Sequence, residues 1–87
     1  MSWQLFFSKD AHKDAVKLKR AGLQKKADNL LDILEKDPFT AYPPYEKLVG
    51  DLDGFYSRRI NIHNRLVYRV DKKNRRVFID RMWTHYE

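Results

Sequence analysis

The last third of the chain sets the tightest limits on the fold. Tyr56–Ile60, Arg65–Val70 and Arg76–Trp83 carry Val, Ile, Leu and aromatic residues in short runs, and polar segments divide them. Asn61-Ile62-His63-Asn64 reads as a hairpin connection and Asp71-Lys72-Lys73-Asn74 as a second turn. Three short strands joined this way run antiparallel. Such a ribbon needs a further element to cover its apolar face.

That cover lies upstream. Ala27, Leu30, Leu31 and Leu34 recur at helical spacing, with Ile33 at the edge of the stripe. Asp37-Pro38 ends the run, since a residue before proline avoids helical backbone. Ahead of it, Ala11, Ala15, Leu18 and Val16 form a narrower stripe. Ser8 caps that helix, Asp10 suits its first turn and Gly22 ends it. Trp3–Phe7 reads as a first strand, and residues 39–45, with Pro43 and Pro44, as a loop. The order β-α-α-β-β-β predicts an α+β fold, two N-terminal helices packed on one face of a small antiparallel sheet. Residues 1–87 are short enough to form a single domain.

Strand parity sorts the side chains of that sheet. Ile60, Leu66, Tyr68 and Val70 fall on the helix-facing side, while Arg59 and Arg65 occupy the opposite parity. Two guanidinium groups therefore stand together on a face that an antiparallel sheet can leave to water. The wider charge pattern agrees: 18 Lys and Arg face 12 Asp and Glu, a formal net charge of +6. Arg58, Arg59, Arg65, Arg69, Arg75, Arg76 and Arg81 all lie in the last third. Arginine forks suit phosphate, so a polyanionic partner is expected.

Several function classes drop out. Without cysteine there is no disulfide scaffold, thiolate zinc site or thiol nucleophile. No metal-ligand spacing and no Gly-rich phosphate loop occurs, so neither metal nor cofactor is expected. The N-terminus does not read as a signal peptide and no apolar run suits a membrane span, so a cytoplasmic protein with no membrane partner is expected. Of the three histidines, His12 reads as an exposed helix residue and His63 as a turn residue near Arg65. His85 stands in the tail Trp83-Thr84-His85-Tyr86-Glu87, whose aromatics would either stack on bases or anchor the tail to the core.

Glu46-Lys47-Leu48, then Asp51-Leu52-Asp53-Gly54-Phe55-Tyr56-Ser57-Arg58-Arg59-Ile60-Asn61 and Arg65-Leu66-Val67-Tyr68, resemble the YoeB/Txe toxin family, a branch of the RelE superfamily. Asp37-Pro38-Phe39 and the closing His85-Tyr86 match further elements of that family. The resemblance implies a RelE-like fold and an mRNA interferase, an endoribonuclease that cuts translated mRNA in the ribosomal A site and so inhibits translation. Carried onto this chain, it makes Glu46 the general base, His85 the general acid and Arg65 the group on the scissile phosphate, with Arg59 assisting. Tyr86 would hold RNA, and Lys47 would stand in for a lysine that members often carry at the place of Val49. A metal is dispensable in such chemistry because the nucleophile, a 2′-hydroxyl, belongs to the substrate. The resemblance also implies a YefM/Axe-type antitoxin, whose acidic disordered tail would fold onto the basic face. It leaves open a homodimer and operator DNA bound by the toxin–antitoxin complex. The alternative is a ParE-like relative that inhibits DNA gyrase by binding alone. Periodicity and charge would not have singled out Glu46, one loop carboxylate among many.

Overall fold

The computed structural model describes residues 2–83. Along the chain run β1 (Gln4–Phe7), α1 (Lys9–Arg20), α2 (Gln24–Lys36), β2 (Tyr45–Lys47), a 3₁₀ turn at Gly50–Leu52, β3 (Phe55–Arg59), β4 (Arg65–Asp71) and β5 (Arg76–Arg81). The strands form one sheet in the order β1-β5-β4-β3-β2. Strands β2 to β5 are an antiparallel meander, whereas β1 lies parallel to β5, with Gln4 opposite Arg76 and Phe7 opposite Ile79. The α+β class with two helices on the sheet is as the sequence predicts. The sheet itself is mixed rather than wholly antiparallel, and β2 is an additional edge strand. Parallel neighbours need a long crossover. Here the helical pair and the meander together provide it.

Ser8 starts α1 as expected. Its Oγ accepts from the Ala11 amide at 3.0 Å and donates to the Asp80 carbonyl at 2.7 Å, so one hydroxyl caps the helix and ties it to β5. The buried face of α1 is Ala11, Asp14 and Leu18, not the expected Ala15 and Val16, which are exposed. The chain leaves α1 through Gly22 at φ +74°, a left-handed conformation that side chains disfavour. Along α2, Ala27, Leu30 and Leu34 point inward.

These residues meet Ile60, Leu66, Tyr68, Val77, Ile79 and Met82 in one core between helices and sheet. Leu18, Leu34 and Leu66 have almost no exposure, each stabilising the fold by about 1.5–3 kcal/mol relative to an exposed side chain. Both predicted turns are present. Asn61 Oδ1 accepts from the amides of His63 and Asn64, and the Asp71 carboxylate accepts from the Asn74 amide and side chain. Among the described residues no helix is long and apolar enough to cross a membrane.

Candidate active site

The helix-free face of the sheet carries the polar cluster. In the register, Glu46 lies opposite Ser57, and Arg59 lies opposite Arg65. Alternation puts Glu46, Ser57, Arg59 and Arg65 on the same side. Together with Pro43 and Pro44 they line a concavity of about 310 Å³. Glu46 Oε2 is 3.5 Å from Arg65 Nη1, and their side chains are 65% and 18% exposed. Arg65 Nη1 also reaches the buried Ser57 Oγ at 3.4 Å. Arg65 is thus half-sheltered and held from below, while the Glu46 carboxylate and the exposed Arg59 remain open to an incoming group.

Like charges placed opposite one another on a sheet repel. The Arg59–Arg65 pair therefore disfavours the free protein, partly offset by Glu46, and it favours an arriving anion. The arrangement can hold a phosphate between two guanidinium groups with a carboxylate beside it.

The loop that walls the site is fixed by a residue that parity sends the other way. Arg58 shares its side of β3 with Tyr56 and Ile60 and is fully buried. Its Nε donates to Tyr68 Oη at 3.0 Å; Nη2 donates to the Pro38 carbonyl at 3.0 Å and the Thr40 carbonyl at 2.8 Å; Nη1 donates to the Pro43 carbonyl. The guanidinium carbon lies 4.9 Å from the Tyr45 ring centroid. No carboxylate takes part in these bonds. The cation is solvated instead by the carbonyls of residues 38–43 and an aromatic cage, in which Phe39, Tyr45 and Tyr56 meet edge to face. Burial pushes the Tyr68 hydroxyl up to about 12, against the opposing pull of Arg58. It therefore stays protonated and donates to the Pro38 carbonyl at 3.2 Å while accepting from Arg58.

Three of the expected site residues, Glu46, Arg65 and Arg59, are brought together. Lys47, the next residue on β2, lies opposite Tyr56, and alternation carries it to the other face of the sheet. His85 and Tyr86 lie outside the described residues. Ser57, Pro43 and Pro44 were not anticipated. Ser57 shows its parity in the sequence, but nothing in the sequence places the two prolines against it. His12 packs beside Phe7, with ring centroids 5.7 Å apart, and His63 is exposed in its turn. Among the described residues no three His, Asp or Glu side chains gather as a set of metal ligands.

Known proteins resemble this chain in sequence and in fold. The chain is 40% identical over 46 residues to the toxin YoeB of Mycobacterium bovis, a stretch covering 53% of this chain and 54% of that one. It thus matches about half the length of this curated relative. Its fold superposes on the YoeB/ParE toxin from Agrobacterium tumefaciens with a TM-score of 0.85 and 29% identity, covering 95% of this chain and 99% of the other. It also matches a chain of the heterotetrameric YoeB–YefM toxin–antitoxin complex from Staphylococcus aureus, with a TM-score of 0.79, 32% identity and coverage of 97% and 98%. The model of the YoeB-like toxins of bacterial type II toxin–antitoxin systems matches residues 7–86, and the chain belongs to that family.

Proposed function

We propose that the protein is a ribosome-dependent endoribonuclease that cleaves translated mRNA in the ribosomal A site without a metal, by general acid–base chemistry. The observation that supports this most is the Glu46 carboxylate 3.5 Å from Arg65, with Arg59 opposite, on an open sheet face. Glu46 takes the proton from a ribose 2′-hydroxyl. The 2′-oxygen attacks the adjacent phosphorus, and the bond to the 5′-oxygen breaks. Arg65 turns from Glu46 to the non-bridging oxygens, where negative charge builds, and Arg59 assists from across the strand pair. His85 protonates the departing 5′-oxygen, and Tyr86 holds the RNA. The products are a 2′,3′-cyclic phosphate and a 5′-hydroxyl. Lys47, on the other face, contacts the RNA or ribosome away from the reacting bond.

The partner we infer is a YefM-type antitoxin, as in the S. aureus complex. An acidic segment laid over Arg59 and Arg65 would neutralise the site and exclude RNA.

Single-turnover cleavage of mRNA on programmed ribosomes tests the assignment. Positioned acid–base groups each contribute about 10²–10⁴-fold. Glu46→Gln, Arg65→Ala and His85→Ala should each slow cleavage by at least about 10²-fold while remaining folded. Wild-type rates in all three would overturn the mechanism. Intact mRNA together with gyrase-dependent DNA breaks would favour the ParE-like alternative.

A further inference from the structure

Asp14 is a buried carboxylate that the cleavage chemistry does not use. It sits in the middle of α1, 1% exposed, on the stripe between Ala11 and Leu18. Its Oδ2 accepts from Arg81 Nε at 2.8 Å, the Met82 amide at 3.0 Å and the Trp83 amide at 3.2 Å, and its Oδ1 accepts from Arg81 Nη2 at 3.3 Å. Every one of these partners is a donor. An ionised carboxylate, which only accepts, fits the position, and an amide would turn its NH₂ group toward some of them.

The place of these bonds matters as much as their number. Strand β5 ends at Arg81. Met82 and Trp83 are the first residues beyond the sheet, and their amides bond α1 rather than a neighbouring strand. Met82 and Trp83 are therefore held by a helix more than sixty positions earlier in the sequence. His85 follows Trp83 by two residues, a reach of at most about 7 Å between Cα atoms.

We propose that Asp14 is a positioning residue for RNA cleavage: by anchoring Met82 and Trp83 to α1, it sets where the His85 imidazole stands relative to the departing 5′-oxygen. This rests on the nuclease reading above, in which His85 is the acid. Asp14 touches neither substrate nor reacting atoms. Its effect passes through the backbone and falls on one step, protonation of the leaving group. A displacement of about 1 Å at a reacting group is enough to slow a reaction by about 10²-fold.

The test uses ribosome-bound mRNA with an ordinary linkage and with sulfur replacing the bridging 5′-oxygen at the cleaved position. A thiolate leaves without a proton, so loss or misplacement of the acid is rescued by sulfur, whereas general damage to the fold is not. Asp14→Asn should slow cleavage of the ordinary linkage about 10–100-fold and return to near the wild-type rate with the sulfur linkage. His85→Ala should behave likewise, and Glu46→Gln should stay slow on both. Hydrogen exchange at the Met82 and Trp83 amides should quicken in Asp14→Asn while Val77 and Ile79 stay protected. Should Asp14→Asn fail to fold, insertion of two glycines after Trp83 lengthens the tether without touching the anchor, and it should show the same slowing and the same rescue. Wild-type cleavage by Asp14→Asn or by the insertion, or slowing that sulfur does not rescue, overturns the positioning role. A His85→Ala variant that is not slow, or not rescued, overturns the acid assignment itself.

Discussion

Arg58 carries the most demanding consequence for stability. The guanidinium is fully buried and makes four hydrogen bonds, three of them to carbonyls of the segment that walls the site. Replacing it with methionine keeps much of the apolar stem and removes all four. Each bond from a charged donor is worth about 1.5–3 kcal/mol, but the four do not add, because removing a buried cation also removes its desolvation cost. The acceptors differ in what they lose. The Pro38 carbonyl keeps its bond from Tyr68 Oη, whereas the carbonyls of Thr40 and Pro43 belong to half-buried residues that water can approach. The net loss for Arg58→Met should be about 2–4 kcal/mol, or a fall in Tm of roughly 10–25 °C for a domain this small. Arg58→Lys should do no better. A single ammonium cannot reach carbonyls on both sides of the cage, and it is more strongly hydrated than guanidinium. Urea unfolding followed by circular dichroism, compared at equal slope, gives both values. A loss below about 0.5 kcal/mol in Arg58→Met would show that the loop is held by other contacts. Wild-type stability in Arg58→Lys would show that charge, not the fork, is what the cage needs.

Other outcomes follow from the same bonds. Burial alone would raise the Asp14 carboxyl, but the hydrogen bonds from Arg81, Met82 and Trp83 outweigh it and hold the group below its ordinary value. Its stabilisation is therefore complete above the unfolded value near about pH 4 and is lost as pH falls through the lower folded value. Acid unfolding of Asp14→Asn, compared with wild type, should lack that component. Tyr68 has the opposite sign. Its stabilisation is present below the unfolded value of about 10 and is lost as pH rises toward about 12, so Tyr68→Phe should flatten the alkaline limb of stability and cost about 1–3 kcal/mol at neutral pH. Ser8→Ala removes both the α1 cap and the bond to the Asp80 carbonyl, and thermal unfolding should register about 1–2 kcal/mol.

Much of the frame was legible because its signals are local. The two Asx-type turns, the Leu stripe of α2, the Ser8 cap and the alternation that sends Leu66 and Tyr68 inward and Arg59 outward all lie within a few residues of what they determine. What escaped depends on distant partners. Strand β2 has three residues, and it is a strand only because Tyr56, Ser57 and Arg58 pair with it. Parallel pairing of β1 with β5 leaves no trace in the alternation of either strand. Arg58 and Asp14 were legible in phase, since Arg58 shares parity with Tyr56 and Ile60, and Asp14 falls between Ala11 and Leu18. A charged residue on an inward face is expected to turn outward unless its partners are known. The partners here, the 38–43 carbonyls and the root of the C-terminal tail, come together only in the folded chain. Of the site, parity alone gives the arginine pair. Glu46 came from the family resemblance, and its distance from Arg65 only from the structure.

The central claim is that Glu46 and Arg65 sit together to cleave RNA. Its most direct measurement is the mapping and chemical identification of mRNA ends on programmed ribosomes, with wild-type protein beside Arg65→Ala. The expected result is a cut at the A-site codon bearing a 2′,3′-cyclic phosphate and a 5′-hydroxyl, absent with Arg65→Ala. Intact mRNA with the wild type, or equal cutting by the variant, would contradict it.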